Sequence, residues 1–531
     1  MITLIWLGLL LVTLTLHLRK VYSRFKDYGV NHFTPIPVLG NAGPTTVRLR
    51  HVAEDFDMVY KAFPEDRFTG RFDLLRPTVI IKDLDLIKQI TIKDFEHFLD
   101  HRALVDDTAD PFFGRNLFSL RGQEWKDMRS TLSPAFTSSK MRGMVPFMVE
   151  VNNQMIDMIK KKIVANADGY LDCEGKDLTT RYANDVIASC AFGVKVDSHT
   201  NEEDQFYLMG RDMADFGFRK IMVFLGYSSF PKLMKKFNAK LLSDETGHFF
   251  TDLVLRTMED REVKEIVRPD MIHLLMEAKK GKLSYDEKST KEADTGFATV
   301  EESDVGKKTI NRIWSDTDLI AQATLLFVAG FETISSAMSF ALHELALNPE
   351  IQDRLVQEIK ENYAKTGGKF DFNCIQDLTY MDMFVSEVLR LWTPVVGMDR
   401  LCVKDYNLGR ANKNATKDFI LRKGEGLSIP TWSIHHNPEY YPEPYKFDPE
   451  RFSEENKRNI KPFTYLPFGT GPRNCIGSRF ALCEVKVMLY QLLQQIEVLP
   501  SDKTKIRAKL AKDTFNVKIE GGHWIRLKLR D

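Results

Sequence analysis

Apolar side chains fill most of the first eighteen positions of the chain, and polar side chains interrupt them at four places. A cluster of basic residues, from Arg19 to Lys26, follows directly. A run of about 17 residues is at the short end for a membrane-spanning helix. Basic residues on its C-terminal side predict an uncleaved anchor with the rest of the chain in the cytosol. A cleaved signal peptide is the alternative, but its basic residues would precede the apolar run.

Two prolines, Pro35 and Pro37, lie in the sequence PIPVLG that follows the basic cluster. Proline fixes its own φ and restricts the residue before it, so this stretch predicts an extended and stiff connection. We therefore expect a membrane anchor over residues 1–18, a basic and proline-rich linker over 19–40, and a folded catalytic body over 41–531.

The spacing of apolar residues predicts a body that is mainly α-helical with small β-sheets. A β-rich run lies within residues 74–92, and a helical pattern prevails over about 115–270. β-like segments return after about residue 395, and residues 497–529 predict a terminal hairpin. The charged, Gly/Ser/Thr-rich segment from Lys279 to Ile310 is expected to be a mobile loop. We see no internal repeat and no clean boundary, so we expect one domain.

One long helix is predicted in the middle of the chain. Ser315 and Asp318 form a capping signal, the residues after them contain no proline, and Pro349 ends the run. At the rise of an α-helix it would be about 50 Å long, enough to cross the molecule. Its central sequence AGFET, Ala329 to Thr333, combines small residues with a threonine that can bond a backbone carbonyl and loosen the helix. An ordinary buried helix is the alternative.

Composition and charge narrow the classes of function. Apolar residues make up 43% of the 531 residues and charged residues 28%, which allows a large core and argues against global disorder. Lys plus Arg equals Asp plus Glu at 74 each, so the balance gives no reason to expect a nucleic acid as partner. The six cysteines are scattered without a CxxC pair, which fits a reducing compartment better than a zinc or disulfide framework.

A glycine-rich loop, FGTGPRNCIG from Phe468 to Gly477, carries the strongest chemical signal. Gly471 and Gly477 have no Cβ and would let the backbone pass close to a flat ring, while Phe468 would cover the sulfur of Cys475. Arg473 presents a forked guanidinium suited to a haem propionate. The pattern favours a thiolate bonded to a haem iron. A buried structural cysteine is one alternative, and a nucleophilic cysteine is another, although the chain shows no signature for the histidine it would need.

These motifs resemble the cytochrome P450 superfamily. Residues 468–477 match the haem-binding pattern F-x-x-G-x-R-x-C-x-G at every fixed position, and residues 329–333 match A-G-x-[DE]-T. The resemblance covers the whole chain, anchor included, and its layout is similar to insect microsomal members. It implies the fold of that family, in which a long central helix lies over the haem and the cysteine loop lies beneath.

The resemblance assigns a role to each matched residue and implies a monooxygenase. Cys475 would be the axial ligand of the haem iron. Ala329 and Gly330 would leave space for O2, and Glu332 with Thr333 would form a proton relay. The acid–threonine pair favours a monooxygenase over the alternative of a haem-thiolate peroxide isomerase.

Further positions are similar to family patterns. Trp125 and Arg129, spaced as W-x-x-x-R, would hold a propionate, as would Arg400 and Arg473. Behind the haem loop the family has a buried charge network, whose members here would be Glu387, Arg390 and Arg451.

The expected partners follow from the same resemblance. The chain has no nicotinamide or flavin fingerprint and no room for an appended reductase, so electrons from NADPH would come through a separate protein. The resemblance implies NADPH–cytochrome P450 reductase. It also implies the endoplasmic reticulum membrane, whose thinner bilayer suits a short anchor.

Small apolar organic compounds are the expected substrates, because the positions expected to form the cavity wall are mostly apolar. The resemblance to insect microsomal members of the family implies broad oxidation of foreign compounds such as plant toxins and insecticides. A hydroxylase of an endogenous hormone, lipid or pheromone is the alternative. The aromatic-rich segment from Phe206 to Phe237 is a candidate lid that touches the membrane. The expected wall residues are Phe112, Phe113, Leu117, Phe327, Val328, Val395, Val396, Met398 and Phe515.

Overall fold

The computed structural model describes residues 2–102, 105, 107, 110–215, 217–280, 296–308 and 312–530. The described chain is mainly helical with small sheets, which confirms the predicted fold class. Its α-helices are α1 (Ile2–Tyr22), α2 (Gly43–Thr46), α3 (Val52–Ala62), α4 (Leu84–Lys88), α5 (Pro111–Gly114), α6 (Gly122–Leu132), α7 (Ser138–Ala165), α8 (Gly175–Ile187), α9 (Gln205–Ala214), α10 (Phe218–Ser229), α11 (Pro231–Lys236), α12 (Asp244–Val263), α13 (Met271–Lys279), α14 (Asp316–Leu347), α15 (Pro349–Lys365), α16 (Phe372–Gln376), α17 (Thr379–Leu391), α18 (Thr431–His435) and α19 (Ser478–Leu493).

The strands are short and come from distant parts of the chain. They are β1 (Phe68–Asp73), β2 (Arg76–Ile81), β3 (Tyr170–Glu174), β4 (Met398–Leu401), β5 (Tyr406–Asn407), β6 (Ile420–Leu421), β7 (Gly426–Ile429), β8 (Ile496–Leu499) and β9 (Trp524–Leu529). One sheet has the order β1-β2-β7-β4, and another has the order β3-β9-β8. The antiparallel pair β8–β9 agrees with the predicted terminal hairpin. The pairing of β3 with β9 was not predicted, because β3 lies in a segment with a mostly helical pattern.

The long helix α14 begins and ends where the sequence predicts. Ser315 caps its first turn: its Oγ accepts from the Asp318 N–H at 3.2 Å, and the Asp318 carboxylate accepts from the Ser315 N–H at 3.0 Å. This reciprocal capping box satisfies two N–H groups that lack partners inside the helix. The helix ends at Leu347, and Pro349 opens α15. The helix is therefore continuous through the AGFET motif, residues 329–333.

Apolar clusters pack on both sides of α14 and hold it in place. On one side Met338 packs with α7, α17 and α19, and on the other side Phe327 packs with α6, α9 and α12. A third cluster lies under the four-stranded sheet. Close approach to α8 depends on Gly330, where a Cβ would lie 2.9 Å from Cδ1 of Ile187. The helix is thus a fixed element against which a binding site can be built.

The amino-terminal segment differs from the predicted extended and stiff linker. Helix α1 has no fully buried residue, and its last turn, at Val21 and Tyr22, packs against the body, where the Tyr22 ring lies 5.0 Å from that of Phe72. By length and composition it is one of two described helices that could span a membrane, and the other, α14, is mostly buried inside the protein. After α1 the chain joins the body at once. Phe25 is 0% exposed and Val30 is 3% exposed, and Arg24 pairs with Glu425 at 2.7 Å. The packed body therefore begins near residue 21.

The segment expected to be a mobile loop falls partly outside the described residues, at 281–295 and 309–310. Its described part, residues 296–308, packs against the body: Ala298 and Val305 are buried, and the Phe297 ring lies 5.4 Å from that of Phe452. Its charged residues make specific contacts with the body, such as the ion pair of Glu302 with Arg129 at 2.6 Å.

We predict that deletion of residues 2–20 leaves the body stable, whereas deletion of residues 2–30 destabilises it. The longer deletion removes Phe25 and Val30 from the core, and loss of a buried phenylalanine side chain alone costs about 3–5 kcal/mol. Urea unfolding of both proteins measures the difference in the free energy of unfolding. Equal stability would contradict the assignment of residues 21–30 to the body.

Candidate active site

An internal cavity of about 450 Å³ lies between α14 and the loop that contains Cys475. Its wall is mostly apolar, and it gathers residues from distant parts of the chain, from His101 to Val485. The predicted site residues that line it are Leu117, Trp125, Arg129, Ala329, Gly330, Thr333, Val395, Met398, Arg400, Phe468, Arg473, Cys475 and Gly477.

The loop from Phe468 to Gly477 is folded so that the side chain of Cys475 faces this cavity. The Cys475 N–H donates to the Phe468 carbonyl at 2.8 Å, and the Asn474 N–H donates to the Gly471 carbonyl at 2.9 Å. Helix α19 begins directly afterwards, at Ser478. The cysteine side chain is exposed to the cavity, and desolvation raises the pKa of its thiol, an effect that the Gly477 backbone and Arg129 partly oppose. A metal cation at the sulfur would favour the thiolate.

The two glycines of the motif have different roles in the structure. Gly471 has φ +74°, and a Cβ there would overlap the carbonyl oxygen of Thr91. Gly471 is thus required by the fold of the loop, and it is outside the cavity lining. Gly477 has ordinary φ, lines the cavity, and a Cβ there would meet its nearest protein atom, on Phe136, at 3.8 Å. The expected close approach to a flat ring therefore applies to Gly477, whereas Gly471 approaches a neighbouring backbone.

Arg473 is a buried cation at the rim of the cavity. Its guanidinium donates to the carbonyls of Leu99 at 2.7 Å and Leu120 at 2.8 Å, and it lies 4.0 Å from the centre of the Trp125 ring. Desolvation, with the positive charge of Arg400 nearby, holds the pKa of Arg473 well below its usual range.

Arg400 is a second buried cation at the same rim, and it is 3% exposed. Its pKa is also lowered by desolvation, although Asp399 opposes the shift. The Asp399 carboxylate accepts from His101 Nδ1 and from the Arg102 N–H, both at 2.9 Å, so it is shared among several donors. Asp100 lies 3.8 Å from Arg473, but the nearby carboxylates do not offset the desolvation of the two guanidiniums. A carboxylate ligand would add negative charge at this rim.

Arg129 is held by protein groups, one of which the sequence did not suggest. The Glu302 carboxylate accepts from its Nη2 at 2.6 Å, and Asn474 accepts through its carbonyl at 2.8 Å and its side-chain oxygen at 2.7 Å. No motif marks Glu302, because it lies in a charged segment with no periodic pattern. The proposed contact of Arg129 with a propionate would have to coexist with this pairing.

In the middle of α14, one face of the helix lines the cavity, and Glu332 lies on another face. Ala329 and Thr333 line the cavity, and the Thr333 hydroxyl donates to the Ala329 carbonyl at 2.6 Å. One residue earlier, about 100° around the helix, Glu332 pairs with Lys176 at 3.3 Å and Lys518 at 3.7 Å. Burial lowers the pKa of Lys176 to about 8, although Glu332 acts to raise it. The two lysines were not predicted as part of the site.

The expected substrate-wall residues divide into two groups. Leu117, Val395 and Met398 line the cavity. Helical spacing turns Phe327 away from the cavity into an aromatic cluster, where its ring lies 5.2 Å from those of Phe250 and Phe331. The other expected residues that pack outside the lining are Phe112, Phe113, Val328, Val396 and Phe515.

The predicted charge network lies behind the cysteine loop and is fully buried at its centre. Glu387 and Arg390 are both 0% exposed, and the Glu387 carboxylate accepts from Arg390 at 2.7 and 2.8 Å. Arg451 lies 3.4 Å from the Glu387 carboxylate, which also accepts from the Asp448 N–H at 3.0 Å. Removing one member of such a network costs about 3–5 kcal/mol, because a charge is left buried without its partner.

These features fit a haem. Two cysteines belong to the cavity wall, and of these Cys475 is exposed whereas Cys190 is buried. The wall is apolar enough to hold a flat macrocycle, and the rim carries two guanidiniums whose desolvation the nearby carboxylates do not offset. Cys475 could bind the iron, and Arg400 and Arg473 could bind the propionates.

Comparison with known proteins agrees with this fit. A family model for cytochrome P450 matches residues 31–525. Cytochrome P450 9e2 of Blattella germanica is 45% identical over 518 residues, which cover 95% of this chain and 94% of the relative. The probable cytochrome P450 9f2 of Drosophila melanogaster is 39% identical, with 96% and 95% covered. Cytochrome P450 6k1 of Blattella germanica is 35% identical, with 96% and 93% covered. The similarity thus spans the cavity and both motifs.

We predict that Gly471→Ala and Gly477→Ala separate folding from ligand binding. Gly471→Ala forces a side chain into a positive-φ position against the Thr91 carbonyl, so it should lower the thermal stability of the protein without haem. Gly477→Ala should leave that stability nearly unchanged and weaken haem binding. Thermal unfolding of the haem-free proteins and haem titration measure the two effects. Equal loss of stability in both variants would contradict the distinct roles of the two glycines.

Proposed function

Because the chain belongs to the cytochrome P450 family and is a monooxygenase, we propose that it oxidises small apolar organic compounds, including foreign compounds such as plant toxins and insecticides. The observation that carries this proposal is the apolar cavity of about 450 Å³ that extends from α14 to Cys475. The haem would occupy the part of this cavity next to Cys475, and the wall that remains on the side of α14, with Leu325, Leu326 and Ala329, is apolar and suits a small organic molecule. Its wall offers few polar groups that would select one hormone over compounds of similar size.

Cys475 would bind the haem iron, and Arg400, Arg473 and Trp125 would hold the propionate edge. When bound, haem supplies the thiolate-ligated iron chemistry that activates O2. Phe468 lines the cavity beside the cysteine and would exclude water from the sulfur. The protein thus contributes orientation, a dry wall and a fixed charge at the rim.

Thr333 and Glu332 would control where protons enter. The Thr333 hydroxyl gives its own hydrogen to the Ala329 carbonyl, so its oxygen is left to accept a hydrogen bond from a group in the cavity. Glu332 lies on the other face, where the side chain of Lys518 is 37% exposed. A proton from solvent would pass from the Lys518 side to Glu332 and then to Thr333 at the cavity, about 100° around α14.

The membrane would hold α1 and would also contact α10 and α11. Apolar side chains of this second region are exposed: Phe218 is 59%, Phe230 50% and Phe237 70% exposed. Lone exposed apolar residues are common, but a grouped patch is typical of a contact surface. We place the protein in the endoplasmic reticulum membrane with its body in the cytosol, where NADPH–cytochrome P450 reductase would supply electrons.

The proposal is tested by reconstitution of the full chain with that reductase, NADPH and lipid. A panel should include several plant toxins and insecticides beside steroid and fatty-acid substrates. We expect oxygenated products from several unrelated foreign compounds, with loss of product when NADPH or O2 is omitted. Turnover of one endogenous compound alone would contradict the broad role, and turnover of peroxides without NADPH would point to an isomerase.

We predict that Thr333→Ala uncouples NADPH oxidation from product formation. Without the hydroxyl, protons would reach the cavity without direction, so the yield of product per NADPH should fall several-fold and the yield of peroxide should rise. Ser339→Ala is the matched control, because Ser339 makes the same kind of bond to a helix carbonyl, at 2.9 Å, outside the cavity lining. Unchanged coupling in Thr333→Ala would contradict the relay.

A further inference from the structure

Residues 296–308 form a strap that crosses from α17 to α6 next to the Cys475 loop. At one end the Phe297 N–H donates to the Asp382 carboxylate at 2.9 Å, and the Phe297 ring lies 5.5 Å from that of Tyr465. At the other end Val305 is buried, and its carbonyl accepts from the Ser130 hydroxyl of α6. The strap is therefore fixed at both ends, and its middle is held over the residues that precede Cys475.

Glu302, in the middle of the strap, has a buried side chain whose carboxylate is hydrogen-bonded to several protein groups. Its side chain is 8% exposed, and that of its partner Arg129 is 4% exposed. Its carboxylate accepts from Arg129 Nε, from Arg129 Nη2 at 2.6 Å, and from the Ser133 hydroxyl at 2.9 Å. Gly306 leaves room for this carboxylate, because a Cβ at Gly306 would overlap it. A surface ion pair would show none of this burial.

The contacts continue from Glu302 to the cysteine loop. Arg129 donates to Asn474 at its carbonyl and at its side-chain oxygen. The Asn474 amide donates in turn to the Glu301 carbonyl of the strap at 2.8 Å. Asn474 precedes Cys475, and Arg129, Glu302 and Cys475 line one small polar pocket on the strap side of the loop. A change at Glu302 thus reaches Cys475 through two intervening residues, Arg129 and Asn474.

We propose that Glu302 is a positioning residue that holds Arg129 against Asn474 and balances the positive charge of this guanidinium beside the Cys475 sulfur. The inference rests on the proposed function, since it treats Cys475 as the haem ligand. Reduction of a ferric iron adds a negative charge to the site, and a nearby guanidinium that has lost its carboxylate partner stabilises that charge. Glu302 therefore makes the bound iron harder to reduce, which lowers its reduction potential.

The test is the reduction potential of the haem-loaded full chain for the native protein and for Glu302→Gln. Loss of the carboxylate charge should shift the one-electron equilibrium about tenfold towards the reduced form, which corresponds to about 59 mV. Glu302→Asp keeps the charge and should keep a potential close to that of the native protein. Glu301→Gln removes a charge from the exposed neighbouring side chain and should change nothing.

The possible outcomes separate this inference from the function on which it rests. A native protein without a thiolate-type spectrum would overturn the proposed function itself. A normal native spectrum with an unchanged potential in Glu302→Gln would overturn the role of Glu302, even if that variant unfolds more readily. An equal shift in Glu301→Gln would overturn it also, because the effect would then be general. If Glu302→Gln holds no haem, Glu302→Asp decides: recovery of haem and potential supports the role, and failure overturns it.

Discussion

Desolvation of charge around one cavity links the parts of this structure. The Cys475 thiol faces the cavity, where burial raises its pKa, and the rim cations Arg400 and Arg473 have lowered pKa values for the same reason. Asp100 lies 3.8 Å from Arg473, and Asp399 lies beside Arg400, but these carboxylates do not offset the desolvation of the two guanidiniums. An iron at the sulfur and two propionates at the guanidiniums would satisfy these groups together, and a flat macrocycle would cover the apolar wall. This complementarity explains why such distant residues are brought to one place.

The surrounding fold keeps that arrangement rigid. Helix α14 is capped at Ser315 and packed on both sides, so Thr333 has a fixed position above the cavity. The loop below is held by backbone bonds and by the contact of Gly471 with Thr91, and behind it Glu387 and Arg390 form a buried pair. The strap adds a further fixed point next to the cysteine. Preorganisation of this kind spares the protein a reorganisation cost when the ligand binds.

Short sequence motifs were sufficient to predict the bounds of α14 and the cysteine loop. The bounds of α14 follow from a capping box and a proline, both readable within a few residues, and the cysteine loop is a dense motif. Long-range choices were not readable. Nothing local distinguishes Val395, which lines the cavity, from Val396, which packs beside it. Glu302 lies 173 positions from Arg129, and the pairs of Glu332 with Lys176 and Lys518 depend on how α8 and the terminal hairpin pack against α14.

The absorption spectrum of the reduced, carbon-monoxide-bound protein tests the central claim most directly, because the position of the Soret band reports whether a thiolate is bound to the iron. The native protein should show the thiolate-type band, Cys475→Ser should lose it, and Cys483→Ser should retain it, since Cys483 is buried in α19 away from the cavity lining. A Cys475→Ser protein with the native spectrum and turnover would contradict the account.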